Sequence, residues 1–277
     1  MPTDISILDD RAVVAVEGPD ARHLLQSLLT VEIDGIAAPR HAALLTPQGK
    51  IMFEFVLYPS GDDGVLIDIH ESLAAEFVKR LTFYRLRAKA TIEDRSQALK
   101  VGWAKDGGGL DADPRLAALG GRGLVASSQA EGLASGAEAF RRHRMDLGVA
   151  EMVHDYDPSD IFPHDAGLDL LMGVDFDKGC FVGQEVVSRM KHRGGARKRF
   201  LPVTLDGPAE KGAEIAAGER GLAVMGGSEA NEGLALFRLD RLEEALAAGQ
   251  SLKAGETLVT PRRPDWWPER IAGLGPA

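Results

Sequence analysis

The chain has a single cysteine among its 277 residues, Cys180, and this scarcity restricts the sites that it can build. One thiol cannot close an internal disulfide, which favours a reducing compartment and predicts a cytoplasmic location. One thiol also cannot supply four thiolate ligands. We therefore expect the chain by itself to hold neither a conventional iron–sulfur cluster nor a structural zinc ion.

Long apolar runs and an excess of positive charge are also missing. No apolar stretch approaches the roughly 18–20 residues of a membrane helix, and the acidic N-terminus lacks the basic-then-apolar pattern of a secretory signal. The net charge of −10 argues against broad nucleic-acid binding. We expect neither a membrane nor nucleic acid as a general partner.

Three common catalytic or nucleotide-binding motifs are absent from the sequence. There is no GxGxxG, no GxSxG and no phosphate-binding GxxxxGK[ST], because Gly49-Lys50 is followed by Ile51. Ordinary dinucleotide-binding, hydrolase and P-loop interpretations are therefore unsupported.

The order of strand, helix and turn signals predicts an α+β protein, since it does not follow the regular alternation of a doubly wound sheet. We expect α+β modules over residues 1–95 and 96–196. Residues 149–177 show few regular patterns, which is typical of functional surface. In residues 197–277, short strands separated by glycine-rich turns, with Gly226-Gly227 as one such turn, predict a small β-barrel and a tail.

The cysteine lies in the segment Lys178-Gly179-Cys180-Phe181-Val182-Gly183-Gln184-Glu185. Its two glycines indicate unusual backbone dihedrals or close approach to another group. A helix is predicted over residues 184–191, and its N-terminus would stabilise an anion or a thiolate, as would the nearby Lys178. This pattern favours a reactive or ligand-contacting thiol; a buried, unreactive cysteine is the alternative.

A nucleophilic role for the thiol would need a histidine base. His154, His164 and His192 are the candidates, and none stands at a diagnostic spacing from the cysteine.

A cluster of positive charge follows the cysteine segment directly. It consists of six cations: Arg189, Lys191, Arg193, Arg197, Lys198 and Arg199. Such a run is commonly a solvated, salt-bridged surface. The alternative is a binding site for an anionic ligand or a polyanionic partner.

An acidic stretch with histidines precedes the cysteine segment. It contains His154, Asp155, Tyr156, Asp157, Asp160, His164 and Asp165. No fixed metal-ligand spacing such as HExxH occurs in it. Turn and capping roles explain it better than a metal site, and we expect no bound metal.

Residues 178–185, continued by Val186-Val187-Ser188-Arg189, closely resemble the KGC[FY]xGQE signature of the YgfZ family. These folate-binding proteins are related to the glycine-cleavage T-protein, an aminomethyltransferase, and include relatives that act in iron–sulfur protein maturation. Weaker similarities extend over nearly the whole chain, among them the Thr46–Ile51 hairpin and the Ile161-Phe162-Pro163 segment.

The resemblance implies two interlocked α+β modules and a C-terminal β-barrel around a central channel that binds tetrahydrofolate or a one-carbon derivative. It implies that the cysteine segment faces this channel. Cys180 would be the reactive or contact group. The residues expected to shape the site are Lys178, Gln184, Glu185, Arg189 and Glu54. The anionic glutamate tail of folate would give the basic run a purpose.

One departure from the aminomethyltransferase pattern bears on the activity. Those enzymes carry an acidic pair on the strand after the first hairpin, and this chain has Phe53-Glu54 there. Because neighbouring strand residues face opposite sides, Glu54 cannot simply replace a carboxylate at position 53. The expected function is therefore folate-linked support of iron–sulfur assembly or repair in client enzymes, including tRNA-modifying ones.

Two alternatives to that function stay open. One is a folate-dependent aminomethyltransferase or demethylase, and the other is a non-catalytic adaptor whose basic run docks a partner. A monomer is expected in each case.

Overall fold

The structure is a computed structural model that describes residues 5–192 and 196–268. The chain divides into two compact units: residues 1–141 with 171–184, and residues 142–170 with 185–277. Residues 171–184, which include Cys180, thus belong to the first unit although residues on both sides of them in sequence belong to the second. The three-part division expected from the sequence stays a prediction.

The first unit is an α+β structure with two antiparallel sheets. Its elements are β1 (Ser6–Ile7), β2 (Arg11–Glu17), α1 (Ala21–Leu28), β3 (Arg40–Leu45), β4 (Ile51–Ser60), β5 (Gly64–His70), α2 (Glu71–Arg85), β6 (Thr91–Asp94), β7 (Leu99–Ala104), a 3₁₀ turn (Ala117–Leu119), β8 (Gly121–Ala126), α3 (Ser127–Ala130) and α4 (Ala137–Asp146), whose last residues belong to the second unit. The larger sheet has the order β3-β4-β5-β2-β6, and the smaller has the order β1-β7-β8.

The core of the first unit lies on one face of the larger sheet, where α1 and α2 pack. Phe53 and Phe55 of β4 both contact Phe77 of α2, with ring centroids 5.2 and 5.1 Å apart. Since side chains alternate along a strand, Glu54 points to the opposite face of the sheet. The core therefore includes Phe53, and the carboxylate next to it lies outside this apolar cluster.

The second unit contains the β-barrel. Its elements are α5 (Gln184–His192), whose first residue belongs to the first unit, and β9 (Lys198–Leu205), β10 (Glu214–Ala217), β11 (Arg220–Glu229), β12 (Glu232–Arg238), α6 (Leu239–Ala247), β13 (Leu252–Ala254) and β14 (Thr257–Pro261). The strands close in the order β10-β11-β12-β9-β14-β13, and every neighbouring pair is antiparallel. A closed barrel leaves no strand edge unpaired.

Several expectations from the sequence are confirmed: the α+β class, the C-terminal barrel and a helix that begins at Gln184. One local expectation is wrong, since Gly226-Gly227 is not a turn. These glycines lie within β11, where the pairing register with β12 shifts between Met225 and Ser228. Among the described residues, no helix is long and apolar enough to cross a membrane.

Candidate functional site

Residues 171–184, called here the signature segment, are fixed to the first unit by Thr30. The Thr30 hydroxyl donates to the carbonyl oxygen of Gly173 over 2.7 Å and accepts from the Ala43 amide of β3 over 2.9 Å. The Asp175 amide donates to the Thr30 carbonyl oxygen over 2.8 Å. Thr30 therefore links the signature segment to the edge strand of the sheet.

Lys178 is buried and fixes the segment at a second point. Its ammonium donates to three carbonyl oxygens at the end of α1, those of Gln26 at 2.8 Å, Leu29 at 2.7 Å and Val31 at 2.8 Å. An ammonium has three donors, and all are used here. Burial lowers the pKa of Lys178 to about 8. A hydrogen bond from Lys178 to a ligand or a thiolate would have to displace one of these contacts.

The two glycines beside Cys180 differ in their structural roles. Gly183 has φ +81°, and a Cβ there would lie 2.6 Å from the Thr46 carbonyl oxygen of the β3–β4 turn. Gly179 has an ordinary φ, and a Cβ there would meet nothing within 4 Å. The expectation of unusual dihedrals or close approach at these glycines is therefore confirmed at Gly183 and wrong at Gly179.

Cys180 is exposed between these fixed points, so the alternative of a buried cysteine is wrong. Phe181 next to it is buried, 5.6 Å from the Lys178 ammonium, and Val182 packs against the apolar core of the unit. The segment thus presents a single thiol at a short exposed tip whose neighbours on both sides are held by the fold.

Glu54 is buried on the sheet face opposite Phe53. Its carboxylate lies 2.8 Å from Nε2 of His41, and Nδ1 of His41 lies 3.3 Å from the carbonyl oxygen of Leu171 at the start of the signature segment. Glu54 and the signature segment therefore meet through His41. No spacing in the sequence pairs His41 with Glu54, because the contact forms across two strands.

Glu185 and Arg189 belong to the second unit, in α5. They form an exposed i,i+4 ion pair, with Arg189 Nη2 2.7 Å from Glu185 Oε1. Of the other cations in the basic run, Arg199 is buried and bridges Asp169 and the His164 carbonyl oxygen. Arg193 lies outside the described residues. The run is thus partly structural and partly exposed surface.

A cavity of about 370 Å³ in the second unit, called here the Asp165 cavity, is bordered by three cations of this run. It is lined by Phe162, Asp165, Val186, Arg189, Met190, Arg197 and Lys198. Asp165 is buried, and its carboxylate accepts from the Phe162 amide over 3.1 Å. Burial raises the pKa of Asp165 to about 6.

Asp165 and Phe162 are the site residues that the sequence reasoning missed. The sequence predicts a turn role for Asp165, because its neighbours in sequence do not distinguish an exposed turn aspartate from a buried one. Its neighbour His164 is also buried, and burial lowers the pKa of that imidazole. Phe162 and Asp165 line one cavity together with three cations of the basic run. Lys178, Cys180 and Gln184 belong to the signature segment of the other unit.

Comparison with known proteins supports the fold and the C-terminal barrel described above. Residues 197–269 match the model of the CAF17 C-terminal beta-barrel domain family. The chain is similar in structure to the glycine cleavage system aminomethyltransferase T of Bartonella henselae, with a TM-score of 0.71 over 93% of this chain and 84% of that one, at 14% sequence identity. That likeness shows a shared fold, an aminomethyltransferase-type fold with a C-terminal barrel.

Sequence relatives extend over most of the chain. It is 30% identical to the mitochondrial iron-sulfur cluster assembly factors IBA57 of Mus musculus and Homo sapiens, with 94% of this chain and 84% of each relative covered. The IBA57 homologue of Neurospora crassa is 30% identical over 72% of this chain and 53% of its own length. The chain therefore belongs to the IBA57 family of iron–sulfur cluster assembly factors.

Proposed function

We propose that this protein supports the assembly or repair of iron–sulfur clusters in client enzymes, and that the thiol of Cys180 contacts the cluster or the client. The observation that carries the proposal is the exposed thiol at the tip of the signature segment, in a chain whose relatives are named iron-sulfur cluster assembly factors. One thiolate cannot fill the ligand set of a cluster, so the role is assistance, with the cluster as cargo.

A reconstitution assay tests this proposal. The purified protein is added to an apo-[4Fe–4S] enzyme with iron, sulfide and a thiol reductant, and recovery of client activity is measured. We expect Cys180→Ala to abolish the stimulation. Met172→Ala is the matched control, because Met172 is 73% exposed on the same segment but lies before the anchored tip. Equal stimulation by both variants would remove the thiol from the mechanism.

We further propose that a tRNA-modifying iron–sulfur enzyme is among the clients, as the YgfZ resemblance implies. Deletion of the gene should then lower the level of the modified nucleoside, and a plasmid with the Cys180→Ala variant should not restore it. The narrower assignment to YgfZ within this set of relatives, a cytoplasmic location and a monomeric state all stay predictions. The names of the relatives state a mitochondrial location for those proteins.

We propose that tetrahydrofolate is the cofactor and that the Asp165 cavity holds its pteridine ring. The chemistry of the lining supports this. Phe162, Val186 and Met190 provide apolar walls, as a flat heteroaromatic ring requires. The Asp165 carboxylate accepts one backbone hydrogen bond and retains acceptor capacity for the adjacent N–H and NH₂ groups of the pyrimidine ring. Arg189 and Arg197 suit the anionic glutamate tail.

Calorimetric titration with tetrahydrofolate under anaerobic conditions tests the cofactor. We expect Asp165→Asn and Arg189→Ala each to weaken binding about tenfold, the loss of one charge-assisted contact. Arg220→Ala is the matched control, since Arg220 is an exposed arginine on the barrel that pairs with Glu244. Absence of binding to the unmodified protein at millimolar tetrahydrofolate would overturn the cofactor proposal and leave the thiol assay unaffected.

Aminomethyl transfer is the second candidate function. The observation that favours it is the buried contact between His41 and Glu54, a carboxylate and an imidazole 2.8 Å apart that could exchange a proton. Methylene-tetrahydrofolate formed from an aminomethyl or N-methyl donor, and lost in Glu54→Gln, would establish it. No product from either donor would exclude it.

A further inference from the structure

The outer surface of the barrel carries an apolar row where a polar surface is expected. Phe200 of β9 lies directly opposite Leu236 of β12, and Leu236 lies directly opposite Val224 of β11. None of the three belongs to the apolar cluster that fills the barrel. Val224 is 47% exposed. In-register apolar side chains on the outside of a small barrel indicate that something covers them.

A loop of the same unit covers one end of this row. Tyr156 packs on Phe200, with ring centroids 6.0 Å apart, and Ile161 is buried beside them. A cavity of about 450 Å³ stays open between the loop and the barrel and is called here the barrel-face cavity. Its lining also includes Asp157, Asp160, Lys198, Lys211 and Met225.

The loop is held in place by Asp155. Oδ2 of Asp155 contacts Nη1 of the fully buried Arg144 at 2.5 Å and accepts from the Glu151 amide at 2.8 Å. Oδ1 accepts from the amide of Gly227, at the register shift of β11, over 3.1 Å. A Cβ at Gly227 would lie 2.9 Å from Oδ1, which explains the glycine at that position. The loop and the barrel wall are thus a single fixed assembly.

The loop is held in a strained backbone conformation at two positions. Val153 has φ +76° and Ser159 has φ +67°, although neither is glycine and Val153 is β-branched. Such conformations cost about 1–3 kcal/mol each and concentrate at functional sites. Lys211 supports them by donating to the Val153 carbonyl oxygen at 2.9 Å and to the Asp157 carboxylate at 2.8 Å. The strained loop covers one end of the apolar row and leaves the Val224 side chain exposed.

Two opposite charges at this cavity form no hydrogen bond or ion pair in the part of the chain that the structure describes. The carboxylate of Asp160 and the ammonium of Lys198 both line it, and neither forms a hydrogen bond or an ion pair with another described residue. The other three charged side chains at the cavity are paired, Lys211 with Asp157 and Asp155 with Arg144. The cavity therefore offers an apolar floor, one free negative group and one free positive group.

We propose that the barrel-face cavity binds a zwitterionic α-amino acid with a large apolar side chain. The side chain would lie on Phe200, Leu236 and Val224, the α-ammonium would pair with Asp160, and the α-carboxylate with Lys198. Pockets of roughly 300–1,000 Å³ with apolar walls and a few placed polar groups are typical of small-ligand sites. The site goes beyond the proposed function: it uses neither Cys180 nor Asp165, and of its lining residues it shares Lys198 alone with the Asp165 cavity.

Calorimetric titration of the full chain with L-phenylalanine and L-leucine tests this site. We expect binding of both at millimolar concentration. 3-Phenylpropionate lacks the ammonium and phenethylamine lacks the carboxylate, and each should bind at least about tenfold more weakly than phenylalanine. Asp160→Asn should weaken phenylalanine by a similar factor and leave 3-phenylpropionate unchanged, because that compound has no ammonium for Asp160 to bind.

Val224→Trp provides the blocking variant, since the larger side chain fills the cavity from its exposed wall and disturbs no core contact. Leu258→Trp is the matched control, because Leu258 is an apolar residue of β14 with similar exposure that does not line the cavity. Phenylalanine binding should be lost in the first variant and retained in the second. Tetrahydrofolate titration of both variants checks that the Asp165 cavity is intact.

Three results would overturn the proposal. The first is no binding of either amino acid to the unmodified protein at millimolar concentration. The second is phenylalanine binding that survives Val224→Trp. The third is equal affinity for phenylalanine and 3-phenylpropionate, which would show that the cavity holds an apolar group without recognising the ammonium.

Discussion

The ammonium of Lys178 donates a 2.7 Å hydrogen bond to the carbonyl oxygen of Leu29, the C-cap residue of helix α1. The last carbonyl oxygens of a helix have no partner within it, and a cation there also complements the helix dipole. Lys178 supplies both the hydrogen-bond donor and the positive charge, although it lies 149 residues further along the chain. The lysine of the cysteine signature is thus a helix cap that fixes the loop beside Cys180.

Lys178→Met should destabilise the protein. The substitution leaves three carbonyl oxygens of Gln26, Leu29 and Val31 without their donor, and we expect a loss of about 3 kcal/mol in the free energy of unfolding. Urea denaturation followed by circular dichroism measures it. Lys79→Met is the control, because Lys79 is 80% exposed on α2, and its effect should stay below about 0.5 kcal/mol. Equal effects of the two substitutions would contradict the capping role.

The glycines on either side of Cys180 should respond differently to alanine. Gly183→Ala forces a Cβ against the Thr46 carbonyl oxygen at a positive φ and should cost at least about 2 kcal/mol. Gly179→Ala meets no atom within 4 Å and should stay within about 0.5 kcal/mol. Thermal denaturation of both variants makes the comparison. A strongly destabilised Gly179→Ala would show that the segment packs differently.

Asp165→Asn should stabilise the protein at neutral pH while weakening ligand binding. The pKa of Asp165 is about 6 in the folded chain against an ordinary 3.8, so between these values the folded protein binds more protons than the unfolded one. Stability contributed by Asp165 is therefore lost as the pH rises from about 4 to 6. At about 1.4 kcal/mol per pKa unit, the free energy of unfolding lost over this pH range is about 3 kcal/mol.

The measurement for Asp165 is the free energy of unfolding of both proteins from pH 3.5 to 7.5. The asparagine variant should be more stable by about 2–3 kcal/mol at pH 7, and the difference should vanish near pH 3.5. Tetrahydrofolate affinity of the unmodified protein should fall as Asp165 is protonated below about pH 6, and Asp165→Asn should remove that dependence. A difference in stability that does not change with pH would refute the assignment.

Asp155→Asn should be among the most destabilising single changes in the second unit. It leaves the fully buried Arg144 guanidinium without its closest carboxylate, and breaking one side of a buried ion pair costs about 3–5 kcal/mol. Asp157→Asn is the control, because its carboxylate pairs with Lys211 at the surface and should cost under about 1 kcal/mol. Guanidinium denaturation separates the two, and a mild effect at Asp155 would show that the clamp is dispensable.

Local patterns in the sequence were enough to predict several secondary-structure elements and to identify the cysteine signature. The helix at Gln184 and the barrel strands β9, β11 and β12 follow from residue order and turn chemistry, which act over a few neighbouring residues. The same local reasoning misplaced Gly226-Gly227, because a close approach of Asp155 explains these glycines better than a turn does. The sequence alone does not distinguish a glycine needed for the close approach of a distant side chain from a glycine needed for a turn.

The sequence by itself determined that this protein has one thiol, that the thiol lies in a KGC-type segment before a helix, and that a barrel follows. Only the tertiary structure decided the roles of the charged groups. Lys178 caps α1, Asp165 lines a cavity, Arg199 is buried and Asp155 clamps the barrel wall. Each of these roles depends on partners far away in sequence, and burial and pairing energies are set by those partners and not by neighbouring residues.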